Sequence, residues 1–398
     1  MYKILTLNNI SVAGLERLPR DRYEVASEIQ HPDAALVRSF NMHNWSAPPS
    51  LQAVGRAGAG VNNIPIEPFS QRGIAVFNTP GANANAVKEL VLTGMLLAAR
   101  NICAAWDYVR GLRGADADID TQVEADKKHF VGFELPNRTL GVIGLGAIGV
   151  KVANAAEALG MKVLGYDPHI TVSNAWQLSA HVQQVMSVGE ILARADFVSL
   201  HVPLNGETRH LISAERLRNC RPNLTLLNFA RAGVVDENAV LSALQESKLH
   251  YYVCDFPSSG LIGCERVIAL PHLGASTVEA EDNCAAMVAD QVRDYLENGG
   301  VRNSVNFPDM HMPREGGHRL LVVNANIPHM IERISTAIAR VDMNILNLLN
   351  KSRGDLACTL IDLASPIPPS VMEEITAIEG VLKVRAPTSS GAADPTDR

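Results

Sequence analysis

The sequence predicts an α/β protein with two doubly wound parallel-sheet domains and a small C-terminal unit of ferredoxin-like order. Three observations lead there. Residues Thr139 to Asp167, TLGVIGLGAIGVKVANAAEALGMKVLGYD, join an apolar run, three glycines spaced G-x-G-x-x-G, an amphipathic helix pattern and a second apolar run that ends in an acid. Short apolar runs alternate with helix-like segments before and after that stretch, the pattern of parallel strands joined by crossover helices. The C-terminal part reads strand, helix, strand, strand, helix, strand, the order of a split β-α-β unit.

Each piece of the Thr139–Asp167 stretch has a physical reason. Gly144 permits the tight turn, Gly146 lets a pyrophosphate approach the backbone, and Gly149 lets the helix pack on the strand. Free N–H groups at the helix start face the phosphates. Asp167 is placed to accept from the ribose hydroxyls of NAD. Its negative charge repels a 2′-phosphate, and no arginine follows it, which favours NAD over NADP.

The 398 residues suffice for two or three domains with their own cores. The net charge of −7 argues against a nucleic-acid surface. Six scattered cysteines without a C-x-x-C or His/Cys cluster imply neither disulfides nor a metal site, and fit a reducing compartment. The N-terminus lacks the apolar core of a signal peptide and no run has membrane-spanning length. A cytoplasmic protein without membrane attachment is expected.

In chain order, YKILTL, AALVRS, LQAVGRAG and GIAVFNTPG read as strands of the first unit. Asn83 to Arg110 carries apolar residues at helical spacing and predicts one long helix. Gly111 to Asp126 is acidic and poorly periodic and predicts a loop. After Asp167, ADFVSLHVP, LTLLNFAR, YYVCDFP and ERVIALPHLG continue the second sheet, with DENAVLSALQESK as a helix. A long helix follows GAS, capped by Ser276 or Thr277 with Glu279 in its first turn, and Gly299 and Gly300 stop it. FPDMHMPREGG reads as a linker, and the final residues PTSSGAADPTDR as disordered. The expected domains are 1–95 with 284–308, 96–283, and 318–388.

Hydride transfer at a nicotinamide requires a proton carrier and a cation for the substrate carboxylate. His272 in ALPHLGAS and Arg231 in NFARAGVVDE stand at predicted strand ends, where such sheets open their ligand crevice. Histidine titrates near neutrality, and the guanidinium fork matches a carboxylate.

Taken in order, GRAGAGVNNI, FNTPGANANAVKEL, GVIGLGAIG, SLHVPLNGETRHLI, NFARAGVVDE and ALPHLGAS resemble the D-isomer-specific 2-hydroxyacid dehydrogenases, closest to the branch that acts on 3-phosphoglycerate. The resemblance covers about residues 1 to 385. It implies that Arg231 holds the substrate and His272 is the acid–base. It further implies that the first 95 residues, with the helix after His272, form a discontinuous substrate domain closing over a Rossmann NAD domain. Ala147 and Ile148 would then lie on the pyrophosphate, with Ala230 and Asp255 near the nicotinamide. Arg56, Ala57 and Gly58 would meet the acidic end of the substrate; Arg56 also suits a phosphate charge unaided. The C-terminal unit resembles the ACT domain, which implies L-serine as an effector, with Asn324, Asn326 and Asn344 as polar contacts. A homodimer or homotetramer is expected. The expected reaction is oxidation of 3-phospho-D-glycerate to 3-phosphohydroxypyruvate at the start of serine synthesis.

The chain departs from the family at two places. The glutamate that normally supports the histidine, a few residues after the Asp of VCDFP, is replaced by Ser258, Ser259 and Gly260; Glu265 is the nearest carboxylate downstream. Three outcomes follow: reduced activity with His272 alone, substitution by Glu265, or an NAD-binding regulator that catalyses poorly. Activity on a different 2-hydroxy acid is a further alternative. In the C-terminal unit, the usual Pro-Gly at the first helix start is Pro328-His329.

Overall fold

The computed structural model describes residues 1–314 and 317–387; the disorder expected of the last residues falls, from residue 388 on, outside them. The chain forms two compact units, Met1–Ala82 with the residues from Glu281 onward, and Asn83–Ala280.

In the first unit, β1 (Tyr2–Leu7), α1 (Val12–Leu15), β2 (Tyr23–Ala26), β3 (Ala34–Val37), β4 (Ala53–Arg56), α2 (Ile66–Gln71) and β5 (Ala75–Phe77) follow in sequence. The strands form a parallel five-stranded sheet in the order β2-β1-β3-β4-β5. Strands β3 and β5 are buried throughout, which is why they read as unbroken apolar runs. Strand β2, YEVA, escaped the sequence reading because only Tyr23 in it is buried.

The second unit opens with α3 (Ala84–Ala99) and α4 (Ile102–Gly111). These replace the single long helix expected over 83–110: the pair bends by 64°, and Asn101 between them takes a left-handed φ of 50°, which asparagine tolerates. The compact-unit boundary falls ahead of α3, at Ala82, rather than at residue 95. The loop expected over 111–126 is largely helix, α5 (Asp116–Asp126). Asp116 and Asp118 in its first turn complement the helix dipole, and Tyr108 from α4 donates to Asp126 Oδ2 at 2.7 Å. With no buried residue, α5 has no apolar period to read.

The nucleotide-type sheet follows: β6 (Thr139–Ile143), α6 (Ala147–Ala158), β7 (Lys162–Tyr166), α7 (Val172–Gln177), β8 (Gln183–Gln184), α8 (Val188–Arg194), β9 (Phe197–Leu200), α9 (Ala214–Arg218), β10 (Leu224–Asn228), α10 (Glu237–Gln245), β11 (Leu249–Cys254) and β12 (Val267–Ala269). Its seven strands are parallel in the order β12-β11-β10-β9-β6-β7-β8. Strand order reverses between β6 and β9, the switch point where such sheets bind ligands.

The long helix α11 (Val278–Asn298) starts at Thr277, whose hydroxyl accepts from Ala280 N at 3.1 Å, so Thr277 rather than Ser276 is the cap. Then come β13 (His318–Ala325), α12 (Met330–Ala339), β14 (Ile345–Arg353), β15 (Leu356–Leu363), α13 (Pro369–Thr376) and β16 (Val381–Arg385). Their antiparallel sheet has the order β14-β15-β13-β16. Leu320 and Val322 face α12 and α13. The alternate residues Leu321 and Val323 join Cys358, Leu360 and Tyr295 of α11 in one core with Ile4, Leu36 and Phe77 of the parallel sheet.

The C-terminal segment is therefore part of the first compact unit, and the expected linker is anchored, with Phe307, Met310 and Met312 buried in the same core. Arg319 binds this region together. It is 2% exposed, grips Asp362 with Nε and Nη2 at 2.7 and 2.8 Å, and spends its remaining N–H groups on the carbonyls of Asn298, Met312 and Pro313. All donors of the guanidinium are thus satisfied. Arg385 lies over the Tyr295 ring at 4.5 Å and donates to the Tyr295 and Leu296 carbonyls. Among the described residues no single helix is long and apolar enough to cross a membrane.

Candidate active site

In the parallel seven-stranded sheet, β6, β7, β9, β10, β11 and β12 all end on the same edge. The glycine turn follows β6, Asp167 follows β7, His201 follows β9, Arg231 lies beyond β10, Asp255 follows β11 and His272 follows β12. Parallel topology alone brings these residues to one rim.

The glycine turn has little tolerance for side chains. Gly144 has φ +92°, and a Cβ on it would stand 2.6 Å from the His201 carbonyl oxygen. A Cβ on Gly149 would stand 1.9 Å from the Gly144 oxygen, so α6 can pack on the turn only with glycine there. Gly146, the residue before α6, differs: a Cβ on it would meet nothing within 4 Å. That open cradle at a helix start without a side-chain cap fits a pyrophosphate on the N–H groups of Ala147 and Ile148. Asp167 accepts from Leu145 N and His169 N, both at 2.8 Å, which fixes the carboxylate beside the turn; its remaining lone pairs suit ribose hydroxyls.

Arg231 and His272 are held by two buried partners, of which Asn228 carries no signal in the sequence. Asn228, fully buried at the end of β10, accepts from Ala230 N at 3.2 Å and donates to the Arg231 carbonyl at 3.0 Å. It shapes the turn that presents the exposed Arg231, whose Nη1 donates to the Ala230 carbonyl. Asp255, 1% exposed, accepts from Leu273 N and Gly274 N, both at 2.7 Å. Both oxygens of the residue expected at the nicotinamide thus clamp the turn carrying His272. His272 itself has φ +57°, a left-handed conformation that histidine adopts more readily than most residues. Its exposed ring meets Phe256 edge-on, with centroids 5.3 Å apart.

Arg56 belongs to the first unit, at the end of β4. Its Nε donates to the Arg38 carbonyl at 3.1 Å. Gly58, with φ +148°, makes room for it: a Cβ there would fall 1.7 Å from Arg56 Nη1. Ala57 is buried between them, its N–H on the Val37 carbonyl.

His201, directly after β9, is a further residue of this rim. Its Nε2 contacts Ser199 Oγ at 2.8 Å, its Nδ1 is buried without a partner, and desolvation pushes its pKa down to about 3. The folded value lies below the unfolded one, so this histidine costs nothing above about pH 6.5 and destabilises as pH falls from there toward 3. Replacing His201 by Gln should flatten the acid side of the stability–pH curve by up to about 1.4 kcal/mol per pH unit. Urea denaturation between pH 4 and 7 measures it, and parallel curves would show that the ring is not desolvated.

Residues 92–274 match the model of the D-isomer specific 2-hydroxyacid dehydrogenase, NAD binding domain. D-3-phosphoglycerate dehydrogenase of Haemophilus influenzae is 33% identical over 352 residues, 85% of this chain and 82% of that protein. The chain belongs to the D-isomer specific 2-hydroxyacid dehydrogenases. The D-3-phosphoglycerate dehydrogenase of Methanocaldococcus jannaschii is 35% identical over 86% of this chain; the chain spans 66% of that longer protein and 57% of another curated relative. Among solved structures, the NAD+-bound 3-phosphoglycerate dehydrogenase of Entamoeba histolytica is 28% identical with a TM-score of 0.59, covering 77% of this chain and 98% of that one. As in the family's NAD-binding domain, the cofactor is NAD, and the open turn at Gly144–Gly149 with Asp167 beside it fits the group.

Proposed function

We propose that the chain oxidises 3-phospho-D-glycerate to 3-phosphohydroxypyruvate with NAD, the entry step of L-serine synthesis. The observation that carries this reading is the shared rim: the dinucleotide turn, Arg231 and His272 end parallel strands of one sheet. The relatives named D-3-phosphoglycerate dehydrogenase support the substrate. Bound NAD supplies the hydride acceptor. Arg231 holds the substrate carboxylate and polarises the reacting carbonyl, and His272 takes the hydroxyl proton during oxidation and returns it during reduction. Arg56, with Ala57 and Gly58, receives the phosphate.

The deciding assay follows NADH oxidation with phosphohydroxypyruvate and unphosphorylated hydroxypyruvate side by side. The phosphorylated substrate is expected to lead in kcat/KM by about 10- to 100-fold, the worth of one charge-assisted contact, and Arg56→Ala should erase most of that lead. Equal rates in the parent protein would remove the phosphate role of Arg56 and favour a different 2-hydroxy acid. The loss of the family glutamate at Ser258 to Gly260 favours a second reading, an NAD-binding regulator of weak activity; absence of turnover at every pH would select it.

The β-α-β-β-α-β segment is an ACT-like regulatory domain in this reading, with L-serine as effector. Asn324 Oδ1, buried without a partner, favours a polar ligand there, whereas Asn326 is engaged with the Gly354 carbonyl and Asn344 accepts from Ala364 N through its main chain. His329 stands at φ +65°, which explains why relatives place glycine at that site. Equilibrium dialysis with millimolar L-serine tests the effector, and no retention refutes it. Assembly as a homodimer or homotetramer is supported by α4, where Trp106 is 62% exposed beside Val109. Six unpaired cysteines support the cytoplasm.

A further inference from the structure

The turn that lacks the family glutamate has acquired a carboxylate from elsewhere. Ser258 Oγ donates to Glu237 Oε1 at 2.7 Å, and a Cβ on Gly260 would stand 2.7 Å from the same oxygen. Glu237 is the first residue of α10, so a half-buried acid on a helix reaches the position in the 258–260 turn from which the usual acid is missing. The same turn carries Phe256, whose ring packs on His272, and starts at Asp255, which clamps Leu273 and Gly274.

Glu265 is directed elsewhere. Burial raises both the Tyr252 phenol and the Cys254 thiol, and the charge of Glu237 adds to each; Glu265 adds instead to the burial-raised Tyr251. Tyr252 and Cys254 alternate onto the face of β11 that packs against α10, and Tyr251 onto the opposite one. Glu237, at the start of α10, therefore lies on the Tyr252 and Cys254 side, where it meets Ser258, and exposed Glu265 lies nearer Tyr251 on the other.

We propose that Glu237 is the positioning residue that supports His272 in this chain, holding the Phe256 turn through Ser258 and supplying at one remove the negative charge that relatives place directly beside the histidine. The proposal rests on the acid–base role given to His272 above. The other charged or titratable groups on these elements are engaged locally. Asp236 caps α10 through Ala239 N, Asp255 serves Leu273 and Gly274, Arg231 meets the Ala230 carbonyl, Arg266 the Leu244 and Leu249 carbonyls, and Cys264 the Gly260 carbonyl. Glu237 thus accounts for the tolerated loss of a glutamate in the turn. A glutamate restored there would stand against it, and Ser258 instead neutralises the contact with a hydrogen bond.

The test is the NMR titration of the His272 imidazole in the full-length protein and in its Glu237→Gln, Ser258→Ala and Glu265→Gln variants. Gln can still accept from Ser258, so Glu237→Gln removes charge while keeping the clamp. The His272 titration is expected to move to lower pH in Glu237→Gln, which removes a negative charge from its surroundings, and to move the same way in Ser258→Ala. Glu265→Gln should leave it unchanged. In keto-acid reduction, which needs protonated His272, the alkaline limb of kcat/KM should shift with it while the KM for NADH stays constant. Ser259→Glu introduced into Glu237→Gln should restore the parent titration. Identical titrations in the parent and Glu237→Gln, or a shift confined to Glu265→Gln, would overturn the assignment. A parent protein without turnover would instead refute the proposed reaction, with the imidazole titration still deciding the role of Glu237.

Discussion

His272→Asn is expected to lower kcat for keto-acid reduction by about 10²- to 10⁴-fold, the usual worth of a positioned general acid, with NADH affinity unchanged within about twofold. Asparagine is the fitting replacement because residue 272 sits at φ +57°, where asparagine is tolerated far better than most residues. The turn itself should survive, since its anchors are the Leu273 and Gly274 N–H groups on Asp255 and not the imidazole. Asp255→Asn separates the two roles. It converts one acceptor oxygen into a donor facing a donor, so it should cost both folding stability and kcat, whereas His272→Asn should cost kcat alone. Steady-state kinetics beside urea denaturation measure the pair. A loss below tenfold for His272→Asn would mean that another group moves the proton.

Asp362→Ala is expected to destabilise the protein by about 3–5 kcal/mol, the cost of leaving a buried charge without its partner. Arg319 is enclosed, and its ion pair with Asp362 is nearly inaccessible to solvent on both sides. Solvent screening, which makes surface pairs almost worthless, therefore does not apply. Replacing both members, Arg319→Met with Asp362→Leu, should recover only part of the loss: the apolar pair demands no counter-charge, but the carbonyls of Asn298, Met312 and Pro313 lose their donor. The loss should appear as a lower urea midpoint at constant slope. A midpoint equal to the parent's in Asp362→Ala would show that water reaches the guanidinium.

The parts of this molecule that are periodic or tightly spaced are legible in the sequence. The G-x-G-x-x-G turn announces itself because each glycine answers a steric demand, and the structure returns those demands as contacts of 1.9 and 2.6 Å for a Cβ at Gly149 and Gly144. Most strands of the parallel sheets follow from apolar runs, but β2, with one buried residue, and β8, two exposed glutamines, do not. What stayed hidden depends on tertiary partners. Asn228 looks like any strand-end asparagine until its amide is seen to hold both Ala230 and Arg231. Helix α5 has no buried face, and hence no period to detect. Glu237 lies in sequence beside a helix cap, the ordinary place for an acid, and only folding brings Ser258 to it. The expected linker misled for a related reason: prolines and glycines suggested an exposed tether, while the methionines between them are core residues.

The shared core beneath the C-terminal sheet bears on how a signal could travel. A tethered sensor can tumble without consequence for the rest of a chain; this sheet cannot, because its inner face and α11 bury the same side chains. Helix α11 begins six positions after His272 and ends where Arg385 and Arg319 hold its last carbonyls. Any ligand that shifts β13 or β16 must therefore also shift the C-terminal half of α11, whose last carbonyls those arginines hold. Excising the module would expose one side of α11 and of the parallel sheet together, so a shortened chain would report on damage to the core and not on release from control.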